Sequence, residues 1–117
     1  MDSLGPRKGF KAIPYICADS DTLTMYFENT PSFAKRIDQV LTVFKAFDSE
    51  EIVGFELKGI LPKMKEIGRL IHVSARTPKI HDKLLLIIYM AEAENRESYQ
   101  SVAEKTEAFD ARITVPA

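Results

Sequence analysis

Two short polar links constrain this chain more than any other feature. Asp19-Ser20-Asp21 separates a run at Ile13 to Ile16 from one at Thr22 to Phe27, and Asp48-Ser49-Glu50-Glu51 separates Val40 to Phe47 from Ile52 to Leu57. Parallel strands need a crossover of a dozen or more residues, so links this short join antiparallel neighbours. The runs themselves are strand-like. Thr22 to Phe27 alternates, with Leu23, Met25 and Phe27 on one face and Thr22, Thr24 and Tyr26 on the other, while Val40 to Phe47 and Ile52 to Leu57 are rich in β-branched and aromatic residues. Asp48 is a favoured first residue of a type I turn, and the Asp and Ser side chains of the first link bond back to backbone. The expectation is a four-stranded antiparallel meander.

Such a sheet has one apolar face that water cannot cover, so the rest of the chain must supply a second layer. Leu61, Met64, Ile67, Leu70 and Ile71 recur at helical steps, with Pro62 tolerable in the first turn. Gly68 costs this helix about 1 kcal/mol relative to alanine, and an end near Gly68 with Leu70 to Val73 extended is expected. Thr77-Pro78 has the form of an N-cap followed by proline at the first helical position, which predicts a longer helix from Pro78. Its interior, Leu84 to Met90, is apolar all round; helix buried on several sides is the favoured reading and a central strand the alternative. Tyr99, Val102, Ala103, Thr106 and Phe109 again have helical spacing. The fold class is thus α+β, a four-stranded antiparallel meander followed by two or three helices packed on one face.

With 117 residues, 45% apolar and 28% charged, and a formal net charge of -1, the chain is expected to form one domain over residues 1–117, with 1–9 a disordered lead-in. The single cysteine, Cys17, excludes an internal disulfide and a multi-cysteine zinc site and points to a reducing cytoplasm. The longest apolar run, Leu84 to Met90, falls far short of the roughly twenty residues a membrane span needs, so no membrane partner is expected. No signal segment stands at the N-terminus, which also suits a cytoplasmic protein.

The stretch Asp21-Thr22-Leu23-Thr24-Met25-Tyr26-Phe27, followed by Phe47-Asp48 and Ile52-Val53-Gly54-Phe55-Glu56-Leu57, resembles the small bacterial YuzE-like family of unknown function. The resemblance rests on an acidic turn before an Asp-x-Leu-x-aliphatic strand, then an aromatic-Asp turn leading to a Val-Gly-Ile-Glu-like strand. It covers residues 13–60. The turn after Asp48 lacks the family's usual glycine, and the helical stretch after Ile60 has no counterpart in the minimal family. The resemblance implies a compact antiparallel sheet and brings no catalytic assignment.

Few residues invite chemistry. His72 and His81 are nine apart, not the four that place two ligands on one helical face, so a structural or surface role is expected and no cofactor. Asp19 and Asp21 should raise the Cys17 thiol and keep it inert. No serine lies in a nucleophile-elbow pattern. Glu56 falls on the more polar face of its strand beside Gly54; pairing across the sheet with a cation such as Lys45 is expected, with a functional carboxylate as the alternative.

Charge asymmetry is the most informative feature. Residues 61–83 hold Lys63, Lys65, Arg69, Arg76, Lys79 and Lys83 against Glu66 and Asp82, whereas 84–117 hold Arg96, Lys105 and Arg112 against Glu92, Glu94, Glu97, Glu104, Glu107 and Asp110. If a helix opens at Pro78, Lys79 and Lys83 lie in its first turns, where cations oppose the macrodipole and an anion is welcome. Arg76, Lys79 and Lys83 are therefore the candidate site for an anionic ligand. The alternative is a solvated cationic edge neutralised by the acidic tail of the same or another chain. The leading functional reading is a non-enzymatic module that self-associates as a homodimer, because an all-round apolar helix needs burial partners. Nucleic-acid binding through 61–83 is opposed by the near-neutral net charge and the lack of an aromatic-interleaved basic motif. A small enzyme using Glu56 or a histidine is a third alternative, without a recognisable motif.

Overall fold

The computed structural model describes residues 12–71 and 79–115. Five strands, β1 (Tyr15–Cys17), β2 (Thr22–Tyr26), β3 (Ser32–Arg36), β4 (Leu41–Ala46) and β5 (Ile52–Lys58), precede α1 (Ile60–Ile71); β6 (Lys79–His81), α2 (Asp82–Glu92), α3 (Arg96–Glu107) and β7 (Arg112–Thr114) follow. The fold is α+β. β1 to β5 form one antiparallel sheet in the order β1-β2-β5-β4-β3, and β6 pairs with β7 in a separate two-stranded sheet.

Both expected hairpins form, but the meander does not. β2 pairs with β5, matching Leu23 to Leu57 and Met25 to Phe55, instead of with the next strand in sequence. An additional strand, β3, precedes β4 and pairs with it on the far edge. Its turn is built by Asp38, whose Oδ1 accepts the backbone N–H groups of Val40 at 2.8 Å and Leu41 at 2.7 Å. β5 is thus central, and a register shift opposite Phe44 and Lys45 inserts one extra residue into it near Val53.

The alternation read from the sequence sets the layers. Leu23, Met25, Leu41, Val43, Phe55 and Leu57 are buried in one cluster with Ile60, Met64 and Ile67 of α1, Leu85, Leu86 and Tyr89 of α2, and Tyr99 and Val102 of α3. Rows of the opposite face follow from the register: Tyr26, Gly54, Phe44 and Ala34 in one, Tyr15, Thr24, Glu56, Thr42 and Arg36 in the next. Glu56 therefore lies between two threonines. The expected partner, Lys45, sits opposite Ile52 beyond the register shift.

Three helix boundaries differ from expectation. α1 runs through Gly68 to Ile71; a Cβ on Gly68 would lie 2.9 Å from Cγ1 of Val115, so the glycine makes room for the residue that follows β7 rather than ending the helix. Pro78 and Thr77 lie outside the described residues, and α2 starts at Asp82 with His81 as its N-cap, because Lys79-Ile80-His81 is held as a strand against Arg112-Ile113-Thr114. Leu84 to Met90 is helix. α3 buries Tyr99, Val102, Ala103 and Thr106 as the spacing predicts, but ends before Phe109, whose ring stacks on Phe27 with centroids 5.5 Å apart. The start of α1 is tied to the first hairpin: Asp21 Oδ1 accepts the Leu61 N–H at 2.7 Å, and its carbonyl accepts the N–H of Gly59, which turns the chain at φ 73°. No described helix is long and apolar enough to cross a membrane. The expected lead-in, residues 1–9, lies outside the described residues.

Candidate functional site

Of the three residues expected to hold an anion, Arg76 lies outside the described residues. Lys79 is exposed on β6, two residues before the cap of α2. Lys83 is in the first turn of α2, but its Nζ is 2.6 Å from Oε2 of Glu107 at the end of α3, and this lysine draws the Glu107 carboxyl below its usual range. Another cation of the basic stretch is matched in the same way, Lys63 lying 2.6 Å from Glu92. In both pairs a cation from 61–83 meets an acid of the following half within one chain.

The Lys63–Glu92 pair lines a cleft of about 540 Å³ together with residues that include Asp38, Tyr89 and Tyr99. Its polar groups are largely engaged. Tyr99 Oη donates to both oxygens of Asp38, and Tyr89 Oη donates to the Gly59 carbonyl. Burial pushes both phenols well above the usual tyrosine range, with Asp38 adding to the effect at Tyr99. Neither is a base at neutral pH.

The N-terminus of α2 carries a less satisfied arrangement. His81 Nδ1 accepts the Lys83 N–H at 3.1 Å and lies 3.3 Å from Oδ1 of Asp82, while its Nε2 lies 3.3 Å from Oδ1 of Asp110. Asp82 is 0% exposed, and neither carboxylate oxygen has a hydrogen-bond partner among the described residues. Burial pushes this carboxyl up to about 6, a shift His81 only partly offsets. Among the described residues, no cluster of three or more His, Cys, Asp and Glu is placed to hold a metal ion. Cys17 departs from expectation: hydrogen bonding to Ser20 draws its thiol below the usual value and outweighs Asp19.

The outer side of α2 is apolar. Leu85, Leu86 and Tyr89 face the core, while Leu84 (38% exposed), Ile87 (41% exposed) and Ala91 face outward, flanked by half-buried Ile88 and Met90. A shallow groove of about 420 Å³ runs beside them, lined by Ile87, Met90, Ala91, Arg96 and Gln100. The sequence indicated an all-round apolar helix without indicating which side stays uncovered. Asp38 and the burial of Asp82 went unread; an Asp beginning the turn Asp38-Gln39-Val40 was the available signal for the first.

Comparison with protein-family models, with curated proteins and with solved structures finds no match to this chain.

Proposed function

We propose that this protein is a small non-enzymatic cytoplasmic module that self-associates, α2 of one copy packing antiparallel against α2 of a second about a two-fold axis near Ile87. The observation that carries this reading is the outward row Leu84, Ile87 and Ala91, spaced at helical steps and exposed among the described residues. The rim is self-complementary. α3 lines the groove beside this row with Arg96 and Gln100, and the Gln100 side chain donates to Glu104 one turn further on; Arg96 is in no ion pair among the described residues. A two-fold axis across α2 sets Arg96 of each copy beside Glu104 of the other.

α2 has eleven residues and is thus about 16 Å long, so its contact lies toward the small end of specific interfaces. The association should be concentration-dependent. The single cysteine supports a reducing compartment. The resemblance of residues 13–60 to the YuzE-like family adds no activity to this reading. Sedimentation velocity over a concentration series tests it: a monomer–dimer equilibrium that Ile87→Glu abolishes, with the circular dichroism unchanged, is expected. A wild-type chain that stays monomeric at its highest soluble concentration would overturn the reading.

A further inference from the structure

The seam where β6 meets α2 brings two proton acceptors together. Asp82 Oδ1 and His81 Nδ1 are 3.3 Å apart, and Nδ1 already accepts the Lys83 amide that caps the helix. An unprotonated imidazole nitrogen and an ionised carboxylate repel at that distance. One proton removes the conflict in either of two ways. On the carboxyl, it makes the group neutral, so Asp82 no longer repels the Nδ1 lone pair and the helix cap on the Lys83 amide is kept. On the imidazole, Nδ1–H faces a carboxylate and the cap is given up, leaving the imidazolium between Asp82 and Asp110. With no proton, a carboxylate that is 0% exposed stays ionised with only the Lys83 and Asp82 backbone amides beside it to set against its burial, a costly state for a buried group.

We propose that in the folded protein the proton sits on Asp82, the arrangement that keeps the helix cap on His81, and that its loss loosens the junction of β6 with α2, making this seam a proton-sensitive latch. The surrounding charges are those of every element at the seam: Lys79 on β6, Lys83 on α2, Glu107 at the end of α3, Asp110 in the following turn and Arg112 on β7. Lys83 is engaged with Glu107, and Arg112 lies 3.2 Å from Asp110, which leaves His81 as the basic group at contact distance from Asp82 among the described residues. The latch is independent of self-association, since it concerns the seating of the helix rather than its outer face.

The direction of the pH effect follows from the raised carboxyl. The folded state keeps a proton on Asp82 that the unfolded chain releases near its ordinary value, so stability falls as pH rises from about 4 to about 6 and is level above. Other carboxylates titrate in the same range, so the difference between variants is the readout. Asp82→Asn should match wild type near pH 4 and melt about 5 °C higher near pH 7. His81→Asn keeps a capping acceptor but removes the cation, and should move the carboxyl midpoint upward. The same midpoint is visible in the unmodified chain as the ¹³C shift of the Asp82 carboxyl, whether or not either variant folds. A wild-type midpoint in the ordinary carboxylate range overturns the proposal, as does an Asp82→Asn variant that parallels wild type from pH 4 to 7. An Asp82 midpoint indifferent to His81→Asn overturns the part given to His81.

Discussion

The phenol of Tyr99 donates to both carboxylate oxygens of Asp38, at 3.1 and 2.9 Å, and so fastens the middle of the helical layer to the β3–β4 turn at the far side of the sheet. Burial alone would raise the Asp38 carboxyl, but the Leu41 and Val40 amides and the side chains of Tyr99 and Asn95 outweigh it and hold the group below its ordinary value. Tyr99→Phe should cost about 1.5 kcal/mol at neutral pH, the range for a hydrogen bond to a charged group. A depressed carboxyl gives stability that is present above about pH 4 and lost as pH falls through its folded value. The gap between wild type and Tyr99→Phe in urea melts should therefore narrow below about pH 4. A constant gap would mean the bond does not depend on the ionised carboxylate.

Phe55 is fully buried on β5 between Met25 and Val43. Phe55→Ala should destabilise by about 3 to 5 kcal/mol, a loss of transfer energy plus the cavity left behind. A urea melt showing under about 1 kcal/mol would contradict its central place.

On the other face, the Tyr26 and Phe44 rings stack with centroids 4.9 Å apart across the bare backbone of Gly54. A Cβ there would lie 2.8 Å from the Met25 carbonyl oxygen, 2.9 Å from Tyr26 and 3.2 Å from Phe44. Gly54→Ala should lose about 1 to 3 kcal/mol, and the Tyr26 and Phe44 ring protons should shift in the NMR spectrum as the stack opens. A neutral substitution would show that the strand yields at this point.

Lys83 and Glu107 make a solvent-accessible pair. Changing Lys79 and Lys83 together to glutamine should leave the protein no more stable at low salt, with any deficit disappearing at high salt. Inorganic phosphate should stabilise mutant and wild type equally. A phosphate response confined to wild type would restore the anion site that Arg76, Lys79 and Lys83 suggest from sequence.

At the helix surface, Arg96→Glu should weaken dimerisation, and the exchange Arg96→Glu with Glu104→Arg should recover it. Sedimentation of the two variants separates a true cross-copy pair, which the exchange restores, from a general effect of charge on α2 packing, which it does not.

The two hairpins are legible because short polar links and alternation are local, and Leu23, Met25 and Phe27 fix the inward face; the second turn nevertheless spans residues 47–49, closed by the Glu50 N–H on the Ala46 carbonyl with Glu50 at φ 58°, in place of the expected type I turn beginning at Asp48. The strand order is not local. Nothing between residues 22 and 58 announces that Leu23 lies beside Leu57, and β3 is hard to see because Ser32-Phe33-Ala34-Lys35-Arg36 is an exposed edge without a clean period. Thr77-Pro78 carries a strong helix-start signal, yet pairing of β6 with β7 moves the first helical residue to Asp82. The candidate site is less legible still. The relation of Asp38 to Tyr99 spans 61 positions, and the composition around Asp82 says nothing of its being sealed from water.

The two outermost strands decide what this sheet can grow into. β1 is three residues long and follows directly on Pro14, which has no N–H to offer a new strand; β3 ends in the exposed pair Lys35 and Arg36. A stray extended segment thus meets a rim too short on one side and repelled by like charge on the other. Self-association through helices, as proposed, leaves this resistance to templated fibrils intact, so concentrated solutions should scatter as finite particles and leave thioflavin dark.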